Sequence, residues 1–453
     1  MEQNNILGTA PIGKLLLKLA IPTVLAQLVN LLYNIIDRIY VGRIPVIGTE
    51  ALAGLGVTFP IIMLISAFSA LIGMGGAPKA AIFMGKKDND TAEKILGNCV
   101  SMLTGVSIIL SAIFYFTKDS ILLTFGASES TLPYANSYLS IYLLGTVFVQ
   151  VALGLNAFIT TQGFSSVSMI TVSVGAILNI ILDPIFIFAL DMGVQGAALA
   201  TIISQAVSAT LVFSFLCSKR SKIKIKRHNL KLNRKIVFPV LALGTAPFIM
   251  QATECLVQLT FNKSMNIYGN DYYVALMSIL FSIMQLVFMP MQGFTQGAQP
   301  IISYNYGAKN HDRVKKTFGL LVKSTLSFSI VIVGLVEIFP AFFIGLFTPD
   351  QNVIEIGIPS LRIFLMGMLI MGAQTACQTT FLSVGEAKSS MFLALLRKVI
   401  LLLPLAIILP RIGGLGIKGV FLAEAIADFV AVTITVIYFQ TKKKQIFFPK
   451  EEQ

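Results

Sequence analysis

The 453-residue chain is 55 % hydrophobic and only 12 % charged, with a mean hydropathy of +0.82, whereas soluble proteins carry about a quarter charged residues. An ordinary soluble globular protein is therefore excluded, and the surplus apolar surface needs lipid. The formal charge of +13 does not point to nucleic acid, because the basic residues cluster between apolar segments instead of lining one helix face.

The N-terminal stretch MEQNNILGTAPIGKLLLKLA has no basic leader region and no A-x-A cleavage site, so it reads as retained and cytoplasmic. Cutting the chain at charges and at Gly/Pro/Asn/Asp clusters gives twelve spans, near 15–37, 51–84, 95–117, 132–159, 165–190, 193–217, 236–262, 273–305, 317–340, 354–383, 389–410 and 415–440. The first ends on Asp37. From Ser130 to Leu182 there is no Asp, Glu, Lys or Arg, enough chain for two crossings at about 20 residues each. Asp183 interrupts that run within LNIILDPIFIF, with Asn179 one helical turn before it and Pro184 just after it. The proline cannot donate, so the carbonyl of Ile180 loses its usual partner beside an acid and an amide, a grouping suited to a cation. The segment 219–235 holds nine Lys or Arg and no acid, which makes it cytoplasmic by the positive-inside rule. The basic patches at 85–87, 315–318 and 442–444 fall on the same side, and both termini are then inside.

Sliding the chain against itself by 222 residues matches Gly75 with Gly297, Pro78 with Pro300, Gly85 with Gly307, Lys87 with Lys309 and Gly97 with Gly319. The expected fold is an all-α polytopic membrane protein with twelve transmembrane helices in two pseudo-symmetric six-helix bundles. Its expected parts are an N-terminal half over 1–218, the basic linker over 219–235 and a C-terminal half over 236–453. An even number of spans per half gives both copies the same orientation, as in parallel-repeat transporters.

Enzymatic motifs find little support. GTAPIGKL at 8–15 has Leu15 where a P-loop needs Ser or Thr, and GLGIKG at 414–419 sits in a short interhelical loop. The two histidines, His228 and His311, lie in basic loops. The four cysteines, Cys99, Cys217, Cys255 and Cys377, have neither zinc-site nor disulfide-framework spacing. Neither an enzyme nor a resident metal or other cofactor is expected. Intramembrane acids are informative, since one at bilayer depth costs roughly 2.5–3.5 kcal/mol and normally faces a cavity or a partner. Three stand out: Asp37, Asp183 and Glu254. For Asp37 an interfacial ion pair with Arg38 or Arg43 is an alternative to a functional role. Glu254 reads as a lone carboxylate near the midplane, able to attract a cationic substrate.

Taken together, the twelve spans in two halves, NIIDRIYVG at 34–42, the LNIILDP stretch and the paired G-x-x-P…G-x-K segments at 75–87 and 297–309 resemble the multidrug and toxic compound extrusion (MATE) family, in its bacterial drug-exporter branch. The resemblance covers essentially the whole chain. It implies a cation site in the N-terminal half formed by Asp37, Asn156, Asn179, Asp183 and Thr201, with Asn30 a further candidate, and a sodium ion is conceivable at Asp37, Asn179 and Asp183. It implies export of lipophilic, often cationic, small-molecule drugs in exchange for H+ or Na+ from a multi-pass protein of the cytoplasmic membrane, working as a monomer in the lipid bilayer. Some members also place a cation site between an acid on the seventh helix and one on the tenth. Here Glu254 supplies the first, and the tenth span offers Gln374 and Gln378 but no acid beyond Glu355 at its start. The rival is a lipid-linked saccharide flippase of the same superfamily. Arg397 and Lys398 on the eleventh span speak for the rival, unless they snorkel to the cytoplasmic interface.

Overall fold

The computed structural model describes residues 6–448; the extreme termini, expected on the cytoplasmic side, lie outside them. In lipid every backbone donor and acceptor must be satisfied within the segment, which makes long apolar runs helical. The chain accordingly forms α1 (Ile6–Thr9), α2 (Ile12–Gly42), α3 (Gly48–Gly85), α4 (Asn89–Thr124), α5 (Leu132–Leu144), α6 (Thr146–Thr161), α7 (Ser165–Pro184), α8 (Gly193–Cys217) and α9 (Arg234–Tyr268). There follow α10 (Asp271–Gly307), α11 (His311–Ile338), α12 (Pro340–Gly345), α13 (Gln351–Leu365), α14 (Met371–Val384), α15 (Ala387–Leu395), α16 (Leu403–Ile408) and α17 (Gly416–Phe447). Eleven helical segments are long and apolar enough to cross a membrane, and α5 with α6, bent by 60° at Gly145, make the twelfth.

Three expected spans are interrupted. The stretch 132–159 bends at Gly145, 354–383 is broken by a 3-10 turn at Met366–Leu369, and 389–410 contains a π-helical turn at Leu396–Leu402. A fourth irregularity follows Pro184, where the helix continues as a π-turn over Ile185–Ala189. Apolar periodicity does not report such breaks, because the side chains stay apolar through them.

The packing divides into two units. One, here the N-terminal unit, is Leu25–Gln251; the other, the C-terminal unit, joins the described residues before Leu25 to those from Ala252 onward. The repeat halves at 1–218 and 236–453 are divisions of sequence, whereas these packing units have their limits inside α2 and α9. Each of those two helices starts in one unit and finishes in the other.

The repeated glycines explain how each unit accepts a helix start from outside its own half. In the N-terminal unit a Cβ on Gly75 would lie 2.3 Å from the carbonyl oxygen of Val240 and 3.0 Å from Cα of Gly244, both on α9. In the C-terminal unit a Cβ on Gly297 would lie 2.5 Å from Cα of Ala20 on α2. These are backbone approaches, so only a missing side chain permits them. Close by, Thr23 on α2 donates its hydroxyl to the carbonyl of Gly293 at 2.6 Å.

The segments that lead into α2 and α9 are also tied down. Asn305 and Arg313 donate to the carbonyl of Leu7, at 2.9 and 3.1 Å, and Arg313 reaches that of Ala10 at 2.7 Å. In the linker, the side-chain oxygen of Gln162 accepts from the Ser221 hydroxyl and from the backbone of Lys222 and Ile223, at 3.0, 2.6 and 3.2 Å. Glu93 adds an ion pair to Lys226 at 2.5 Å, which raises the Lys226 pKa by hydrogen bond and by charge.

Two outcomes follow. Gly297→Val and Gly75→Val force a branched side chain into backbone, and each should destabilise the protein by about 1–3 kcal/mol or more, visible as a lowered melting temperature in detergent; unchanged melting would mean that the helices do not approach this closely. Gln162→Ala removes three bonds worth about 1 kcal/mol each, so trypsin should cut within 219–235 at least tenfold faster.

Candidate functional site

The N-terminal unit gathers all six residues singled out for its cation site. On α2, Asn30, Tyr33 and Asp37 recur at intervals of three and four residues and share a face. On α7, Asn179 and Asp183 are one turn apart, and both are buried. The neighbouring α8 can come close because a Cβ on Gly175 would meet the hydroxyl of Ser208 at 2.1 Å. There Ser208 donates to the carbonyl of Thr171 at 3.0 Å, fixing the two helices in register.

A small cavity of about 30 Å³, room for about one water molecule, is lined by Asn30, Tyr33, Asn156, Asn179, Thr201 and Gln205, among others. At its edge Asn179 donates to Asp183 at 3.2 Å and reaches Thr201 at 3.5 Å. Asn156 is anchored separately, accepting from Thr171 at 3.2 Å. The carboxyls of Asp37 and Asp183 stand within hydrogen-bonding reach of each other. Asp37 makes no ion pair with Arg38 among the described residues, since the Arg38 guanidinium lies over the ring of Phe59, 5.0 Å from its centre.

The unsatisfied atoms show what this arrangement can hold. Asp37 Oδ1, Asp183 Oδ2 and Asn179 Oδ1 are all buried and have no donor. Two facing carboxyls surrounded by acceptors need a proton between them or a small cation, and the oxygen-rich set fits either. Tyr138 on α5 lies near the group, within the electrostatic influence of Asp37 and Tyr33. Neither Tyr33 nor Tyr138 is among the residues singled out from the sequence. Tyr33 was legible from its position one turn from both Asn30 and Asp37, but Tyr138 lies on another helix and its approach depends on packing alone.

In the C-terminal unit the structure corrects the reading of Glu254. It is not a lone carboxylate, because Lys398 Nζ lies 2.7 Å from its Oε2. Nor do Arg397 and Lys398 snorkel: both are buried, and Arg397 pairs with Asp428 at 2.7 Å and Glu424 at 3.2 Å. Glu424 and Asp428, one turn apart on α17, are intramembrane acids that the sequence displays and that a reading led by the N-terminal motifs leaves out.

Comparison with known proteins agrees with this architecture. The MatE family model matches residues 22–185 and 247–408, one segment in each half. Over 438 residues the chain is 24 % identical to the multidrug export protein MepA of Staphylococcus aureus (strain NCTC 8325 / PS 47), covering 96 % of both chains. Over 435 residues it is 25 % identical to MepA of Staphylococcus haemolyticus, covering 96 % of this chain and 95 % of that one. Among solved structures, the MATE multidrug transporter DinF-BH is 35 % identical, with a TM-score of 0.91 over 99 % of this chain and all of the other. A MOP-superfamily transporter from Pyrococcus furiosus, 23 % identical with a TM-score of 0.92 over 98 % of this chain and 99 % of that one, shares the fold. The chain belongs to the MATE family. It is thus a multi-pass membrane transporter and not an enzyme.

The geometry ranks the polar residues of the site. Asn179→Ala takes the donor away from buried Asp183, a loss of about 1–3 kcal/mol, and should lower gradient-driven transport at least tenfold. Thr201→Val removes only a 3.5 Å contact, too long to be strong, and should lower it less than threefold. Equal effects in a vesicle transport assay would show that hydrogen bonding to Asp183 does not govern the site.

Proposed function

We propose that the protein exports lipophilic, often cationic, compounds from the cell by alternating access, in exchange for a proton or sodium ion held at Asp37 and Asp183. The observation that carries this reading is the pair of facing carboxyls, each with one buried oxygen that no donor reaches, beside a small cavity in the N-terminal unit. Asn179 orients Asp183 and Thr201 completes its surroundings, while Asn156 and Asn30 line the small cavity through which a proton or sodium ion would reach them. The relatives' names, which speak of multidrug export, support the substrate class. Both termini face the cytoplasm in this reading, as the basic linker requires, and the monomer is the working unit.

Glu254 enters as a member of an ion-paired cluster and not as a drug anchor, since Lys398 already balances it. The flippase alternative loses its support for the same reason. A phosphate-bearing substrate needs free cations, and Arg397 and Lys398 are both engaged by acids.

The test is transport by purified protein in liposomes, with a fluorescent lipophilic cation and with proton and sodium gradients imposed separately. One of the two gradients should drive dye movement, and Asp37→Asn or Asp183→Asn should reduce it to background while the variants still insert. Dye movement driven by neither gradient, or undiminished in Asp183→Asn, would overturn the proposal.

A further inference from the structure

The C-terminal unit holds a second group of ionisable side chains, all buried but the partly exposed Glu254 and Cys255, which the proposed exchange at Asp37 and Asp183 does not use. From α9 comes Glu254, with the thiol of Cys255 beside it; from the π-turn come Arg397 and Lys398; from α17 come Glu424 and Asp428. The two consecutive cations serve different neighbours. Lys398 is taken up by Glu254, and the guanidinium of Arg397 bridges the two acids of α17, using Nη2 for Glu424 and Nε for Asp428. A π-helical turn at this point is of the kind that often marks a functional position inside a helix.

The charges do not balance. Three carboxylates against two cations leave one negative charge, and Arg397, Lys398, Glu424 and Asp428 are each at most 5 % exposed. The deficit can be located. Glu424 Oε2 and Asp428 Oδ2 are buried and have no donor, whereas the opposite oxygen of each accepts from Arg397. Asp428 is closed off by the turn at Met366–Leu369, where a Cβ on Gly367 would lie 2.5 Å from Cβ of Asp428 and 3.3 Å from its free oxygen. The charged groups acting on Glu424 are Asp428, Lys398, Arg397 and Glu254, and among the described residues no other cation is ion-paired to the cluster.

We infer that the C-terminal unit holds one proton of its own, shared by Glu424 and Asp428 beneath the Arg397 guanidinium. An O–H formed on either free oxygen supplies the missing donor and brings the cluster to neutrality in one step. A metal cation would need several oxygens, and two carboxyl oxygens are what the pairings leave. The site differs from one built on acids of the seventh and tenth helices, because the seventh-helix acid is here neutralised by Lys398 and the proton lies on the last helix. It depends on the C-terminal unit alone and would stand if the exchange proposed for Asp37 and Asp183 failed.

Infrared spectroscopy of the full chain in lipid nanodiscs tests this, on the Asp37→Asn/Asp183→Asn background so that the other carboxyl pair is silent. At neutral pH a protonated-carboxyl C=O band should be present and should shift in D2O. Adding Glu424→Gln, or separately Asp428→Asn, should remove one carboxyl equivalent of that band, because either change leaves two carboxylates against two cations. A background protein without the band, or a band that both substitutions leave intact, would overturn the proposal. The background measurement is decisive in the negative even where a further variant fails to fold.

Discussion

An ionised carboxylate inside a bilayer must be met by a partner, and this constraint organises both halves of the molecule. The C-terminal unit meets it in part with its own cations, Arg397 and Lys398, which between them engage Glu254, Glu424 and Asp428 and leave one carboxyl unbalanced. The N-terminal unit meets it otherwise. Asp37 and Asp183 face each other with no basic side chain paired to either, leaving donorless oxygens beside a cavity. Two halves of common sequence pattern thus surround their intramembrane acids differently, with paired cations in one and none in the other.

The same repeat supports the scaffold by different means. Gly75 and Gly297 occupy matching positions, and each admits the backbone of a helix that begins in the other half of the sequence. Gly75 and Gly297 are therefore not incidental turn formers but contact points. The Leu7 and Gln162 anchors secure the segments ahead of those helices.

Much of this was legible in the sequence, because the bilayer imposes rules that a sequence displays. Span length, the basic linker and the acid at 183 inside an uncharged run all follow from the free energy of inserting charge. The amide and acid at 179 and 183 fall on one face by helical spacing alone. What was not legible depends on approach between helices. The approach of Asp37 to Asp183, the nearness of Tyr138 to Asp37 and the Lys398 partner of Glu254 join residues far apart in sequence. Glu424 and Asp428 were visible as acids within an apolar span, yet their meaning came only with Arg397 beside them. The bend at Gly145 and the π-turns left no trace in hydropathy.

The central claim is that Asp37 and Asp183 hold an exchangeable cation that a drug displaces. Linkage makes this measurable at equilibrium, since two ligands that exclude each other must each weaken the other's binding. A fluorescent lipophilic cation titrated into the purified protein, in weak buffer with pH and sodium recorded together, reports the displaced ion directly. Dye binding should release a proton or a sodium ion from the unmodified chain and none from the Asp37→Asn/Asp183→Asn protein. Dye that binds without releasing either ion, or that releases as much from the doubly substituted protein, would contradict the account.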